Sequence, residues 1–233
     1  AYRNKMQMPV GGTKGDIQMG FYAMGSHDIV QGTNCPIQDE GNNIIAQACY
    51  QIAKEFDIEP YDEQTEKGVL RHIIGRIGQS GWMIILVTAT EQLPHKEKWV
   101  EKLTERIPQV ETIVHNVNGK RTNVILGPKN NILYGDGTIT DHIKDLQFTL
   151  SPHSFFQVNP EQTTVLYDQA LAYADLKGDE TVIDAYCGTG TISLFLAHKA
   201  KHVIGIEIVE PAIINARENA RNNGYDNTEF IVA

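Results

Sequence analysis

The chain has 233 residues, of which 41% are hydrophobic and 21% are charged, so it can bury a substantial core as one large or two smaller domains. Twenty basic against 29 acidic residues give a net charge of −9, which excludes a uniformly basic surface but leaves room for a local basic patch. There is no run of about eighteen apolar residues, no leader and no disulfide framework among the three cysteines, so we expect a cytoplasmic protein without a membrane span.

Residues 1–150 predict an α+β domain with a mainly antiparallel sheet. Glycine-punctuated strands in residues 4–32 predict a meander, and apolar residues at helical spacing predict a helix over 42–56. Two strands around the turn GQSG, a helix over 95–107 and a strand over 111–119 follow. Further strands are expected in TNVILG, NILYG and DLQFTL. Helices packed on one sheet are the simplest arrangement of these elements.

The pattern changes near residue 150, and residues 151–233 predict the first βαβαβ half of a parallel, doubly wound sheet. Asn159 is placed to cap a helix that begins at Pro160. A strand, a glycine loop, a helix, a strand, a helix and a strand follow, and the last helix lies between Pro211 and Gly224. The boundary near 150 depends on this change of pattern alone.

The strongest local signal for chemistry is the segment DAYCGTGT at 184–191, between a buried strand and a helix. Glycines there let the backbone approach a nucleotide, and Glu207, at the end of the next strand, can accept hydrogen bonds from ribose hydroxyls. Ser193 stands where a dinucleotide fingerprint has its third glycine or alanine. Asp184 before the glycines resembles the acidic residue of the class I S-adenosylmethionine-dependent methyltransferase motif. The segment therefore favours S-adenosylmethionine, with a dinucleotide or a purely structural turn as alternatives.

A wider resemblance rests on SPHSFFQVNP at 151–160, which precedes a helix and DAYCGTGT. This order resembles the start of the catalytic domain of the RNA 5-methyluridine (uracil-5) methyltransferases, most of all those acting on 23S ribosomal RNA. The resemblance continues through RNKMQMPVG, GFYAMGSHDIV, CPIQ and HNVNG, so it covers most of the chain.

The resemblance implies an internal piece of a longer enzyme, with a central domain over 1–150 and the truncated N-terminal half of a methyltransferase domain over 151–233. It also implies methylation of uracil C5 in ribosomal RNA through a covalent cysteine adduct, by a cytoplasmic monomer. Transfer RNA is the alternative substrate. A class I methyltransferase on another substrate and a non-catalytic RNA-binding scaffold remain open.

The same resemblance assigns cofactor contacts by position. Gln157 would contact the cofactor, Tyr186 would lie against it and Glu207 would hold the ribose. Thr191 departs from the family pattern, since asparagine is expected there in many relatives. The full set of expected cofactor-binding residues is Gln157, Asp184, Tyr186, Gly188, Gly190, Thr191 and Glu207.

The three cysteines have different expected roles. The family's nucleophilic cysteine and catalytic base lie on later strands, so both are expected beyond Ala233, and the 233-residue chain is expected to be inactive alone. Cys187 and Cys49 are expected to be buried packing residues. Cys35 matches the fourth ligand of a [4Fe-4S] cluster in some family members, whose other ligands lie upstream. Such a cluster would form only in the full-length protein, and an unliganded remnant is the alternative.

Four residues are candidates for contact with RNA. Arg3 and Lys5 resemble a family segment that faces RNA, although such a charge pair is often only a solvated surface. Phe155 and Phe156 could stack on bases, although adjacent aromatic residues leading into a domain more often pack in a core. The eight histidines show no metal-ligand spacing, so we expect packing and surface roles for them.

Overall fold

The computed structural model describes residues 1–233, which form two compact units, Ala1–Ile139 and Thr140–Ala233. The division falls ahead of the boundary near residue 150 that the change of sequence pattern predicts. None of the helices combines the length and the apolar character that crossing a membrane requires.

The first unit is built on seven strands and two helices. The strands are β1 (Lys5–Thr13), β2 (Asp16–Tyr22), β3 (Ile29–Gln31), β4 (Leu70–Ile77), β5 (Trp82–Thr88), β6 (Val110–Val117) and β7 (Lys129–Tyr134), and the helices are α1 (Glu40–Glu55) and α2 (Lys96–Arg106). The strands form one sheet in the order β3-β2-β1-β4-β5-β6-β7. All neighbours are antiparallel except β5 and β6, which are parallel because α2 provides the crossover between them.

Helix α1 shows how local sequence and packing agree in this unit. Its N-terminus is capped by Asp39, whose carboxylate accepts a hydrogen bond from the Gly41 amide at 2.8 Å. Ile45, Cys49 and Ile52 recur at helical spacing and are fully buried in the core beneath the sheet. The predicted helix and the predicted packing role of Cys49 are therefore confirmed.

The segment TNVILG is not a strand, and that prediction is wrong. The Asn118 side chain donates to the carbonyl oxygens of Val124 and Ile125 at 2.7 and 3.0 Å. The Asn116 side chain bonds both the N–H and the carbonyl of Gly127, each at 2.8 Å. These amides take up backbone groups that a neighbouring strand would otherwise pair, so the segment folds as a loop held by the HNVNG motif.

The second unit contains five strands and three helices. They are β8 (Ile139–Ile143), β9 (Leu146–Leu150), α3 (Pro160–Ala174), β10 (Thr181–Ala185), α4 (Thr191–Ala197), β11 (His202–Glu207), α5 (Glu210–Asn222) and β12 (Thr228–Val232). Strands β10, β11 and β12 form a parallel sheet in that order, and β8 pairs with β9. The predicted βαβαβ half is confirmed, whereas β8 was not predicted.

The helix boundaries of this unit follow the capping signals in the sequence. The Asn159 side chain accepts a hydrogen bond from the Gln162 amide at 3.2 Å, and Pro160 is the first residue of α3. Gly224 follows the end of α5 with φ +74°, a conformation that glycine adopts without strain.

Candidate functional site

The candidate site lies where two neighbouring parallel strands end. In the register of β10 and β11, Asp184 pairs with Gly205 and Ala185 with Ile206, so the loops after both strands start at the same edge of the sheet. Ligands of open parallel sheets bind outside the carboxyl ends of the strands. This edge therefore brings together the glycine loop at 186–190 and Glu207.

The glycine loop turns through three residues in the left-handed region. Gly188 and Gly190 have φ of +55° and +79°, and Tyr186 has φ +64° although it carries a side chain. Such a conformation is unfavourable for a non-glycine residue and is concentrated at functional sites. The Tyr186 side chain is 89% exposed, so its ring is free to lie against a flat ligand.

Glu207 links the two loops at this edge. One carboxylate oxygen accepts a hydrogen bond from the Gly188 amide at 3.3 Å, and the other accepts from the Val209 amide at 3.0 Å. A carboxylate has about four acceptor positions, so hydroxyl donors of a ligand can still bind it. The carboxylate is thus both held in place and available.

Asp184 is joined to the helix that follows the loop. Its carboxylate accepts a hydrogen bond from the Ser193 hydroxyl at 2.5 Å. Burial raises the pKa of the Asp184 carboxyl, and the bonds from Ser193 oppose that shift. Ser193 is fully buried, which accounts for a small polar residue where a dinucleotide fingerprint has glycine or alanine.

The segment 151–159, which precedes α3, contacts both the glycine loop and α5. The Thr189 hydroxyl donates to the Phe155 carbonyl at 3.4 Å, and the Asn215 side chain of α5 donates to the Ser154 hydroxyl at 3.1 Å. Gln157 is half-buried and lies two residues beyond the first of these contacts. This placement agrees with a cofactor contact by Gln157, which remains a prediction.

The two adjacent phenylalanines differ completely in their surroundings. Phe156 is only 5% exposed, and its ring centroid lies 5.7 Å from that of Phe148 on β9. A ring packed in this way cannot stack on a base, so Phe156 is corrected to a core residue. Phe155 is 70% exposed and remains a candidate for stacking on RNA.

Two residues that support the glycine loop were not predicted from the sequence. The Asn219 side chain, 1% exposed, donates to the Thr189 carbonyl at 3.1 Å and accepts from the Thr149 amide at 3.0 Å. The Tyr167 hydroxyl lies 2.9 Å from that of Thr191, the first residue of α4. A polar residue on the apolar stripe of α5 is the signal by which Asn219 could have been found.

Cys187 has the environment of a packing residue. Its side chain is buried, and burial, together with the nearby carboxylates of Asp184 and Glu207, raises the pKa of its thiol to about 12. A thiol with this pKa is protonated at neutral pH and is a poor nucleophile. The prediction that Cys187 packs inside the loop is confirmed.

In the first unit, Arg3 and Cys35 line one cavity of about 440 Å³ together with Phe21. Residues 1–233 bring together no group of three or more His, Cys, Asp or Glu side chains that could hold a metal ion. Cys35 as a cluster ligand therefore stays a prediction.

Burial lowers the pKa of Lys5 to about 8, and the guanidinium groups of Arg76 and Arg3 contribute to this shift.

The glycine loop, the acidic residue at each of two strand ends and the parallel sheet define the class of the fold. It is an α/β fold that resembles a class I S-adenosylmethionine-dependent methyltransferase. A family model described as a methyltransferase domain matches residues 176–233.

Relatives and solved structures extend this likeness to the whole chain. A protein of Halalkalibacterium halodurans and one of Clostridium tetani, both named as uncharacterized RNA methyltransferases, are each 52% identical to this chain over 99% of it and 51% of their own length. The crystal structure of the Pyrococcus abyssi tRNA (uracil-54, C5)-methyltransferase in complex with S-adenosyl-L-homocysteine has a TM-score of 0.80 and 26% identity. That match covers 100% of this chain and 55% of the other. The chain thus spans about half the length of the relatives it matches.

Proposed function

We propose that the protein is an S-adenosylmethionine-dependent methyltransferase that acts on uracil C5 in RNA. The observation that carries the proposal is the arrangement of Asp184, Tyr186 and Glu207 around one glycine loop, at the edge of a sheet where such folds bind their ligands. The RNA methyltransferase names of the relatives and the uracil-C5 chemistry of the Pyrococcus abyssi enzyme support it.

The residues at this edge fit S-adenosylmethionine in their chemistry. The cofactor supplies a methyl group on a positively charged sulfur. Glu207 keeps acceptor positions for ribose hydroxyls, and the Asp184 carboxylate suits the cationic methionine end. The exposed Tyr186 ring offers a flat surface, and Gly188 and Gly190 let the backbone approach closely. Gln157 and Thr191 complete the proposed set of cofactor contacts.

The proposed reaction needs a thiolate that the buried cysteines do not provide. Uracil C5 is a weak nucleophile, so a thiolate first adds to C6 and gives C5 enolate character. After C5 has gained its methyl group, a base removes the C5 proton and the thiolate leaves. Cys49 is fully buried with a raised pKa, and Cys187 is also buried. As the resemblance to the uracil-5 methyltransferases implies, we propose that the nucleophile and the base lie beyond Ala233, and we expect the 233-residue chain to be inactive alone.

The proposed RNA substrate is 23S ribosomal RNA, because the sequence motifs most resemble those of the methyltransferases that act on it. Transfer RNA is the second candidate, because the Pyrococcus abyssi enzyme with the same fold is a tRNA methyltransferase. Arg3, Lys5 and Phe155 are the proposed RNA contacts, and we expect a cytoplasmic monomer. One thiol cannot hold a [4Fe-4S] cluster, so Cys35 is proposed as a ligand only in the full-length protein.

Calorimetric titration of the chain with S-adenosylhomocysteine and with NAD tests the cofactor. We expect binding of S-adenosylhomocysteine and none of NAD, and Glu207→Gln should weaken binding by about tenfold through loss of a charged acceptor. Glu210→Gln, an exposed change three residues later, is the control and should leave the affinity unchanged. Binding of NAD, or equal affinity for S-adenosylhomocysteine in the wild-type chain and Glu207→Gln, would contradict the proposal.

A further inference from the structure

The first unit contains a polar cavity that the proposed methyl transfer does not use. Its volume is about 360 Å³, and a neighbouring cavity of about 340 Å³ shares several of its lining residues. We call the pair the β4 cavity, because its most buried polar residues lie on that strand. The lining residues that matter for the argument are Tyr22, His27, Tyr61, Glu63, Arg71 and His72.

A β-bulge in β4 shapes this cavity. Consecutive residues of a regular strand point to opposite faces of the sheet. The register between β4 and β5 shifts between Leu70 and His72, and Arg71 is the extra residue. As a result, the consecutive residues Arg71 and His72 both line the cavity. Bulges that redirect side chains in this way are over-represented next to active sites.

Both of these residues keep polar atoms without a partner. Arg71 is 4% exposed; its Nη1 donates to the carbonyls of Asn118 and Lys120 at 2.5 and 2.8 Å, while Nε has no hydrogen bond. His72 is 8% exposed and its Nδ1 has no hydrogen bond. Burial, with a contribution from Arg71, lowers the pKa of His72 to about 4, so the imidazole is neutral at neutral pH. Buried polar atoms without a partner are rare; these two have almost no accessible surface, so a ligand in the cavity contacts the remaining polar atoms of Arg71 and His72.

A carboxylate and an aromatic pair form another part of the wall. The Glu63 Oε2 lies 2.5 Å from the His27 Nδ1 and also interacts with the Tyr22 hydroxyl. The rings of His27 and Tyr22 stack with centroids 4.7 Å apart and an angle of 14° between their planes. The guanidinium of Arg71 lies over the Tyr61 ring at 4.5 Å. The cavity thus presents flat rings together with a negative acceptor and cationic and neutral donors.

This combination fits a purine with donors on one edge and acceptors on the other. Guanine donates from N1 and N2 on its Watson–Crick edge, which suits a carboxylate, and accepts at O6 and N7, which suits arginine. Asp28 and Asp62 also line the cavity and disfavour a bare phosphate. We propose that the β4 cavity binds an unstacked guanine base of the RNA substrate. The proposal rests on the proposed function, because it takes RNA as the ligand.

The test uses guanosine as the probe, with adenosine, cytidine and uridine as comparators, so that no phosphate opposes binding. The imidazole NMR signals of His27 and His72 report on the cavity directly in the wild-type chain. We expect saturable shifts with guanosine at millimolar concentration and an affinity about tenfold higher than for uridine. Equal shifts with all four nucleosides, or no saturable shift with any, would overturn the proposal.

Glu63→Gln tests the carboxylate, with Glu101→Gln on the exposed side of α2 as the matched control. Glu63→Gln should abolish the preference for guanosine, and the control should keep it; an unchanged preference in Glu63→Gln would overturn the assignment. Titration with S-adenosylhomocysteine separates this inference from the proposed function. Retained cofactor binding without guanine binding defeats the β4 cavity proposal alone. Guanine binding without cofactor binding counts against the methyltransferase proposal alone.

Discussion

Two glycines of the same loop give a matched test of how the glycine loop is built. Gly188 and Gly190 both have positive φ, so alanine at either position is strained by about 1–2 kcal/mol. A Cβ at Gly188 meets nothing within 4 Å, whereas one at Gly190 lies 3.0 Å from the Phe230 ring and 3.2 Å from the Ala216 methyl. Both of those neighbours are buried, and overpacking of this kind typically adds about 1–3 kcal/mol.

We therefore expect Gly188→Ala to destabilise the second unit by about 1–2 kcal/mol and Gly190→Ala by about 2–5 kcal/mol. Amide hydrogen exchange of β11, the central strand of the parallel sheet, measures this difference within the unit itself. Urea unfolding followed by circular dichroism gives a second measure. Equal destabilisation by the two substitutions would refute the contact of Gly190 with Phe230 and Ala216.

Three further predictions test the support of the loop and the RNA contacts. Asn219→Ala should destabilise the second unit by about 2–4 kcal/mol in urea unfolding, because the buried Thr189 carbonyl and the half-buried Thr149 amide lose their partner; a loss near zero would contradict its bridging role. Phe156→Ala should lower the free energy of unfolding by about 3–5 kcal/mol, whereas Phe155→Ala should leave it unchanged. Phe155→Ala should instead weaken RNA binding by about 1–3 kcal/mol in filter-binding assays. The reverse pattern would refute the burial argument. Because the folded pKa of Lys5 is lowered to about 8 from 10.5, the unfolded chain binds more protons between these values, so stability should rise with pH across that window. Lys5→Met should remove this rise and reduce the salt slope of RNA binding by about 1, whereas the exposed control Lys98→Met should do neither.

Much of the fold could be predicted because local signals and packing agree. The apolar stripe of α1 and the capping residue Asn159 mark their helices correctly. The strand, glycine and helix order after residue 180 also predicts the parallel half sheet. In α1, for example, apolar residues that recur at helical spacing are buried in the core.

One error arises where side chains bind backbone groups 6 to 11 positions further along the chain. The segment TNVILG has the composition of a strand, but Asn116 and Asn118 hold its carbonyl and amide groups in a loop. These side-chain contacts leave no signal in the periodicity of the segment itself. The parallel pairing of β5 and β6 agrees with the predicted strand, helix and strand order, because a helix can provide the crossover between parallel strands.

The candidate site was predictable in its residue types and less so in its supports. Asp184 and Glu207 follow from the positions of strand ends, and the structure places both at one edge of the sheet. Phe156 is buried and Phe155 is exposed because only Phe156 packs against Phe148, which lies on β9. The sequence around the two phenylalanines does not show which of them makes this contact. Asn219 was missed because its two partners come from separate parts of the chain.

The most direct test of the central proposal is mass spectrometry of nucleosides from RNA methylated by the full-length protein. Unmodified 23S ribosomal RNA and transfer RNA are each incubated with S-adenosylmethionine, and the RNA is then digested. The account predicts 5-methyluridine as the new nucleoside, formed in one of the two RNAs and absent when S-adenosylmethionine is omitted. A methyl group on any other nucleoside, or no methylated product from either RNA, would contradict it.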